Sequence, residues 1–211
     1  MTGRSVSFAF LCEGSSDTGL IAHLETLLMH FGVQEATGMP DTRKGTIPAR
    51  LRQLRAEGTE AGIDMVFIHR DSDDPDRKGR EREIRRGVEE SGFPHPFIPV
   101  IPVQETEAWL LLDEQAIRDV VACPKGKQPL KLPKPNAIEG TRNPKEILQK
   151  ALLAASETSG RRLKKEKNSF SRHRRVLMQR LDPFGAVRNL PSWQCLERDI
   201  KRALEQLENQ N

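Results

Sequence analysis

Residues 63–74 read IDMVFIHRDSDD, and this stretch indicates the fold of the chain. Its first seven residues are a short, largely apolar run, which is typical of a strand buried on both faces of a parallel sheet. Asp71, Asp73, Asp74 and Asp76 follow within six residues. Carboxylates this close repel one another, so either water solvates them or a cation neutralises them.

The segments on both sides of this stretch alternate between strand and helix patterns. The predicted strands cover residues 5–12, 33–37, 63–69 and 96–103, and the prolines of the last favour an edge or irregular position. The predicted helices cover residues 17–31 with Asp17 as N-cap, 47–58, and 80–90 with Gly92 at the end. This alternation predicts βαβ units, and hence an α/β, Rossmannoid fold with a mainly parallel sheet flanked by helices.

The composition changes after Asp113. Residues 123–142 are rich in Pro, Lys and Gly, which predicts a long loop between an α/β catalytic domain (1–122) and a basic helical region (143–211) packing on it. Asn143 as N-cap, with Pro144 at the first helical position, predicts a helix through about residue 156. Further helices are predicted over residues 170–181 and 191–207.

Composition limits the class of protein. The chain has 211 residues, of which 36% are hydrophobic and 30% are charged, so one ordinary domain with a highly charged surface is expected. No apolar run reaches the roughly 20 residues of a membrane helix, and no signal-peptide pattern is present, so we expect a cytoplasmic protein without membrane contact. Three distant cysteines exclude a zinc ribbon and argue against a disulfide framework, which leaves oxygen ligands for any metal.

Positive charge is concentrated in residues 161–180. A basic segment beside an acidic site indicates a polyanionic partner, with DNA expected ahead of RNA, and a solvated helix face is the alternative. The predicted nucleic-acid-binding residues are Arg161, Arg162, Lys164, Lys165, Lys167, Arg172, Arg174 and Arg175. The chain has no Tyr and two Trp, so contact through phosphate charge is expected instead of base stacking. Trp109 and Trp193 are predicted to be core residues.

Acidic residues follow three of the predicted strands. Glu13 follows the first, Asp71 and Asp73 follow the central one, and Glu105 and Glu107 follow the last. The carboxyl ends of parallel strands meet at one edge of the sheet, where ligands gather. Clustered carboxylates select Mg²⁺ or Mn²⁺, and such an ion can activate water and stabilise the leaving oxygen of a phosphodiester. The sequence therefore predicts a metal site at this edge.

The motifs CEGSSDTGLI (residues 12–21) and HRDSDD (residues 69–74) resemble the TOPRIM fold of topoisomerases, primases and nucleases. In that fold one strand ends in Glu-Gly and another in Asp-x-Asp. The Glu-x-x-x-Asp spacing of Glu13 and Asp17 is similar to the OLD-family nuclease branch. ETEAWLLLD, NPKEIL and PSWQCLERDI resemble small stand-alone TOPRIM-like proteins of bacteria, several of them near anti-phage defence genes. The resemblance covers residues 5–112 and, more loosely, the helical C-terminus.

The resemblance implies a metal-dependent nuclease, a hydrolase that uses Mg²⁺ or Mn²⁺ in an anti-phage defence or mobile-element context. Glu13, Asp71 and Asp73 would be catalytic, with Glu13 as metal ligand or general acid–base. The implied metal ligands are Glu13, Asp17, Asp71 and Asp73, with Glu105 or Glu107 completing the site. Arg70 departs from the pattern, since an apolar residue is usual there, and its pairing with the aspartates would lower metal affinity.

Other functions stay open at this point. A non-catalytic TOPRIM-like subunit could bind nucleic acid or a partner protein such as an ATPase encoded nearby, because the chain has no P-loop of its own. The oligomeric state is open between monomer and homo-oligomer. Pro75 argues against a haloacid-dehalogenase phosphatase and, with Asp76, against an EF-hand. A glycosyltransferase Asp-x-Asp and a solvated loop remain as alternatives.

Overall fold

A parallel sheet forms the centre of the fold. The structure is a computed structural model that describes residues 3–72 and 76–209. Its strands are β1 (Ser5–Leu11), β2 (Glu35–Asp41), β3 (Met65–His69) and β4 (Phe97–Val100), in the order β2-β1-β3-β4. All three neighbouring pairs are parallel. The predicted α/β fold is confirmed. The last predicted strand, β4, lies at an edge of the sheet, as its prolines favoured.

Helices connect the strands and build the C-terminal region. They are α1 (Ile21–His30), α2 (Ile47–Ala56), α3 (Lys78–Ser91), α4 (Glu107–Leu110), α5 (Glu114–Val120), α6 (Pro144–Ala155), α7 (Gly160–Asn168), α8 (Phe170–Arg180) and α9 (Pro191–Asn209). Short 3₁₀ helices cover Ser15–Leu20, Thr59–Gly62, Pro135–Gly140 and Ala186–Asn189. No helix among the described residues is long and apolar enough to cross a membrane.

Some predicted boundaries are wrong for identifiable reasons. Asp17 does not cap α1, because a 3₁₀ helix precedes α1 and the Asp17 side chain accepts a hydrogen bond from the Gly14 N–H instead. Strand β2 begins and ends later than residues 33–37, since its side chains are mostly exposed and give little hydrophobic signal. Helix α7 was not predicted as a separate helix because none of its residues is buried. Asn143 does precede α6, but in a left-handed conformation and without a side-chain cap bond.

The two faces of the sheet carry separate parts of the core. Alternate residues of a strand point to opposite faces, so Phe67 of β3 packs with α1 and the C-terminal helices, whereas Ile68 packs with α2 and α3. The same alternation continues past the apolar run. It directs His69 and Asp71 toward the C-terminal helices and Arg70 toward the opposite face.

The C-terminal region shares the core of the α/β part. Buried residues of α6, α8 and α9 belong to the same hydrophobic cluster as β1 and α1. Trp109 of α4 and Trp193 of α9 are both buried, and their rings meet edge to face with centroids 4.9 Å apart. The prediction that both tryptophans are core residues is confirmed. This packing brings α8 against the carboxyl edge of the sheet.

Candidate functional site

Asp71 lies just beyond β3 at the carboxyl edge of the sheet. Its Oδ1 accepts hydrogen bonds from the backbone N–H and the hydroxyl of Thr106, each 3.0 Å long. Nε2 of His69 lies 3.4 Å from the same oxygen. Burial raises the pKa of Asp71, but the His69 imidazole and the Thr106 hydrogen bonds outweigh it and hold the pKa below its ordinary value. Asp71 is therefore an oriented, ionised carboxylate whose second oxygen, Oδ2, takes no part in these bonds.

Glu13 stands beside Asp71 and is partly exposed. Its Oε2 accepts a 3.0 Å hydrogen bond from the backbone N–H of Asp71, which ties the end of β1 to the end of β3. Arg70 lies at 4.0 Å from the other Glu13 oxygen and 3.4 Å from Glu83. Among the described residues, Arg70 thus pairs with Glu13 and Glu83 and not with Asp71, which points to the opposite face of the sheet.

Asp17 and Glu107 are joined by a buried arginine from α8. Arg174 donates from Nε to Glu107 and from a terminal nitrogen to Asp17, both at 2.8 Å, and from its other terminal nitrogen to the carbonyl of Ser16 at 3.1 Å. The three residues are 5% (Asp17), 3% (Glu107) and 7% (Arg174) exposed. Burial lowers the pKa of Arg174, but the two carboxylates raise it above its ordinary value, so the guanidinium stays charged.

His69 lies in the middle of this network and is fully buried. Its Nε2 is 3.1 Å from the hydroxyl of Thr106, which in turn donates to Asp71, so the tautomer that fits carries its hydrogen on Nε2. Its Nδ1 has no hydrogen-bond partner among the described residues and lies 3.8 Å from Oδ2 of Asp17. His69 thus links the Asp71 side of the site to the Asp17 side.

Glu105 lies on the turn between β4 and α4. Burial raises its pKa, and the neighbouring charges of Glu107 and Asp71 raise it further, although the backbone N–H of Lys145 donates to its Oε2. Gln104, directly before it, has a φ of 68°, a left-handed conformation that costs about 1 kcal/mol or more in a residue other than glycine. The strained turn brings Glu105 and Thr106 to the Asp71 side of the edge.

Five of the six predicted metal ligands lie among the described residues, and those five are not grouped as one metal site. Arg174 occupies oxygens of Asp17 and Glu107, and Asp73 lies outside the described residues. Among those residues, no three His, Cys, Asp or Glu side chains are grouped so that they alone could hold a metal. Mg²⁺, however, is usually held by one or two carboxylates, waters and substrate phosphate oxygens. Asp71 and the adjacent Glu13 fit that smaller requirement.

The predicted nucleic-acid-binding residues divide into two groups. Seven of the eight are exposed on α7 and α8: Arg161, Arg162, Lys164, Lys165, Lys167, Arg172 and Arg175. Arg174 is the exception, since it is buried and its guanidinium is bonded to carboxylates. In this conformation its guanidinium is not accessible to nucleic-acid phosphates.

Three site residues were not recognised from the sequence as parts of the acidic site: His69, Thr106 and Arg174. His69 occupies the next inward position after Phe67 in β3, so strand periodicity places it in the core. Arg174 lies three and four residues before the buried Leu177 and Met178, on the apolar face of α8. Thr106 carries no comparable signal in the sequence.

A family comparison covers most of the chain. A family model described as Domain of unknown function (DUF4276) matches residues 12–183. The chain belongs to this family. The match begins at the end of β1 and continues beyond α8, so it includes Glu13, Asp71, Glu107 and Arg174. No similar protein was found among the curated proteins or among the solved structures.

Proposed function

We propose that this protein is a divalent-metal-dependent nuclease that hydrolyses phosphodiester bonds of DNA, with RNA as the second candidate substrate. The observation that carries the proposal is the convergence of carboxylates at one sheet edge. Glu13, Asp71 and Glu107 come from the ends of three different strands. Glu13 accepts a hydrogen bond from the Asp71 N–H, Asp71 contacts His69, and Glu107 contacts Arg174. A carboxylate with a perturbed pKa in such a position, here Asp71, is typical of sites that handle charge.

The residues have distinct roles in this proposal. Asp71 and Glu13 would hold Mg²⁺ or Mn²⁺, with Glu105 and Asp73 as additional candidate ligands. When bound, the ion would polarise the phosphate and lower the pKa of a water. Thr106 orients Asp71, and Glu13, whose side chain is partly exposed, could accept a proton from an attacking water at Oε1, the oxygen that lies 4.0 Å from Arg70. The exposed basic residues of α7 and α8 would bind the backbone phosphates.

A specific observation also favours a second candidate, a non-catalytic subunit that binds nucleic acid or a partner protein. Arg174 neutralises part of the charge of Asp17 and Glu107 without any metal. The resemblance to stand-alone TOPRIM-like proteins supports a cytoplasmic role in anti-phage defence or a mobile element for either candidate. An ATPase encoded nearby is then the expected protein partner.

Replacement of Glu13 by glutamine separates the two candidates. Glutamine keeps an oxygen that can accept the Asp71 N–H but removes the charge. Supercoiled plasmid DNA and tRNA should be incubated with the purified protein under Mg²⁺ and Mn²⁺ titration, with EDTA as the blank. We expect divalent-dependent cleavage by the parent and a loss on the order of 10²-fold or more in Glu13→Gln.

The matched control is Glu89→Gln, which removes the same charge from an exposed position of α3. Its cleavage rate should equal that of the parent. If Glu13→Gln cleaves as fast as the parent, the assignment of the site is wrong. Salt-dependent binding of DNA with no cleavage in any divalent ion would favour the binding subunit instead.

A further inference from the structure

The position of Arg174 bears on how many metal ions the site can take. Its three guanidinium nitrogens reach Asp17, Glu107 and the carbonyl of Ser16. The two carboxylates belong to segments at the ends of β1 and β4, so the guanidinium joins two strand ends that would otherwise repel each other. Asp17 is further fixed by the N–H of Gly14 at 3.2 Å.

A guanidinium and a divalent ion cannot occupy this position together. Mg²⁺ and Mn²⁺ bind carboxylate oxygens at roughly 2.0–2.2 Å and require an approach from the side on which a ligand oxygen is free. Oδ1 of Asp17 and Oε1 of Glu107 each lie 2.8 Å from an Arg174 nitrogen, and the group is more than nine-tenths buried. The space between these two oxygens is therefore filled by a fixed positive charge.

Asp71 lies on the other side of His69 and has different surroundings. Its contacts to Thr106 and His69 all end on Oδ1, and Glu13 beside it is partly exposed. The buried Nδ1 of His69 has no partner among the described residues, but it lies 3.8 Å from Oδ2 of Asp17 and so belongs to the Arg174 half of the edge. One half of the acidic edge is thus held by a buried guanidinium, whereas in the other half Oδ2 of Asp71 takes no part in the bonds to Thr106 and His69, and Glu13 contacts Arg70 only at 4.0 Å.

We infer that the site binds a single divalent cation, at Asp71 and Glu13, and that Arg174 is a built-in second cation that holds Asp17 and Glu107. The inference rests on the proposed metal dependence. Asp17 and Glu107 are then positioning residues and not metal ligands. Helix α8 of the C-terminal region is also a necessary part of the site, because it supplies the positive charge of Arg174.

Metal stoichiometry tests the inference without any assay of activity. Isothermal titration calorimetry of the full chain with Mn²⁺ should give one bound ion. Asp71→Asn should weaken that binding by at least about tenfold more than Asp17→Asn, in which the amide oxygen can still accept from Arg174. Arg174→Met should bind a second Mn²⁺, because it removes the cation that Asp17 and Glu107 share. Arg175→Met changes the exposed neighbour on α8 and should still bind one Mn²⁺.

The outcomes separate this inference from the proposed function. Two ions bound by the parent would overturn the single-ion inference but leave metal dependence intact. No ion bound by the parent would overturn both. A folded Arg174→Met that binds one ion would refute the role of Arg174 as a second cation. If Arg174→Met does not fold, the comparison of Asp71→Asn with Asp17→Asn decides, and equal losses in those two variants would refute the inference.

Discussion

Replacement of Arg174 by methionine should strongly destabilise the fold. Methionine is apolar and of similar length, so the change removes a buried charge while leaving little empty space. Asp17 and Glu107 remain 5% and 3% exposed, now without their shared cation. Removing one partner of a buried ion pair costs about 3–5 kcal/mol, because the remaining charge has lost its solvation without compensation. A chain of this size loses about 2–4 °C of Tm per kcal/mol, so the drop should be roughly 6–20 °C.

The assay is urea unfolding followed by circular dichroism near neutral pH. Arg175→Met removes the same charge from an exposed position of the same helix and should change the free energy of unfolding by less than about 0.5 kcal/mol. Adding Asp17→Asn and Glu107→Gln to Arg174→Met should recover most of the stability, since buried neutral amides cost less than buried charges. A destabilisation below about 1 kcal/mol for Arg174→Met would refute the argument, because the two carboxylates would then be neutralised in another way.

Three further predictions concern separate parts of the molecule. Changing Lys164, Lys165 and Lys167 of α7 together to glutamine should reduce the slope of log affinity for DNA against log salt by about 0.9 for each phosphate that these lysines neutralise. Burial lowers the pKa of His23, whose Nε2 donates to the carbonyl of Met178 at 2.6 Å. The unfolded chain therefore takes up a proton near pH 6.5 that the native state does not, so the free energy of unfolding should fall as the pH drops below that value. His23→Gln should weaken this pH dependence, which is measured by comparing urea unfolding at about pH 7.5 and about pH 5.5. Gly87→Ala should cost about 1–3 kcal/mol in the same denaturation assay, because its Cβ would lie 2.8 Å from Cβ of Ile47.

Each of these predictions has a matched control. Lys125, Lys127 and Lys134 lie exposed in the loop after α5, and their joint replacement should leave the salt slope unchanged. His30 lies exposed on the same helix as His23, and His30→Gln should keep the parent's pH dependence. Gly79 lies on the same helix as Gly87 with no atom near its Cβ position, so Gly79→Ala should be neutral or stabilising by up to ~1 kcal/mol. Equal results for a variant and its control would contradict the corresponding prediction.

The proposed ion and the fixed guanidinium give the C-terminal helices a direct connection to the site. Helix α8 carries the buried Arg174 on one side and the exposed Arg172 and Arg175 on the other. It also receives the hydrogen bond of His23 from α1. A change in how α8 packs would alter both the charge at the acidic edge and the surface proposed to bind phosphates.

The sequence alone was sufficient for the fold class and for the meeting of Glu13 and Asp71 at one edge of the sheet. The apolar run before Asp71 is continuous because β3 is buried on both faces, and continuous runs of this kind occur in parallel sheets covered by helices. Once the strands are parallel, their carboxyl ends must share one edge, so Glu13 and Asp71 were expected to meet. Their hydrogen bond joins residues 58 positions apart. The end of α3 at Gly92 was also predicted. Its reason is local, because glycine readily adopts the left-handed conformation that ends a helix.

Only the tertiary structure decided which charges compensate one another. In the sequence, Arg174 is one of many basic residues between positions 161 and 180, and Arg70 is the arginine next to the aspartates. Among the described residues of the structure, Arg70 pairs with Glu13 and Glu83, and Arg174 reaches Asp17 across 157 positions of sequence. Periodicity specifies which side of a strand or helix a residue occupies, but not which distant segment packs there. The burial of α8 against the sheet edge sets that choice, because a buried guanidinium is stable only where carboxylates surround it.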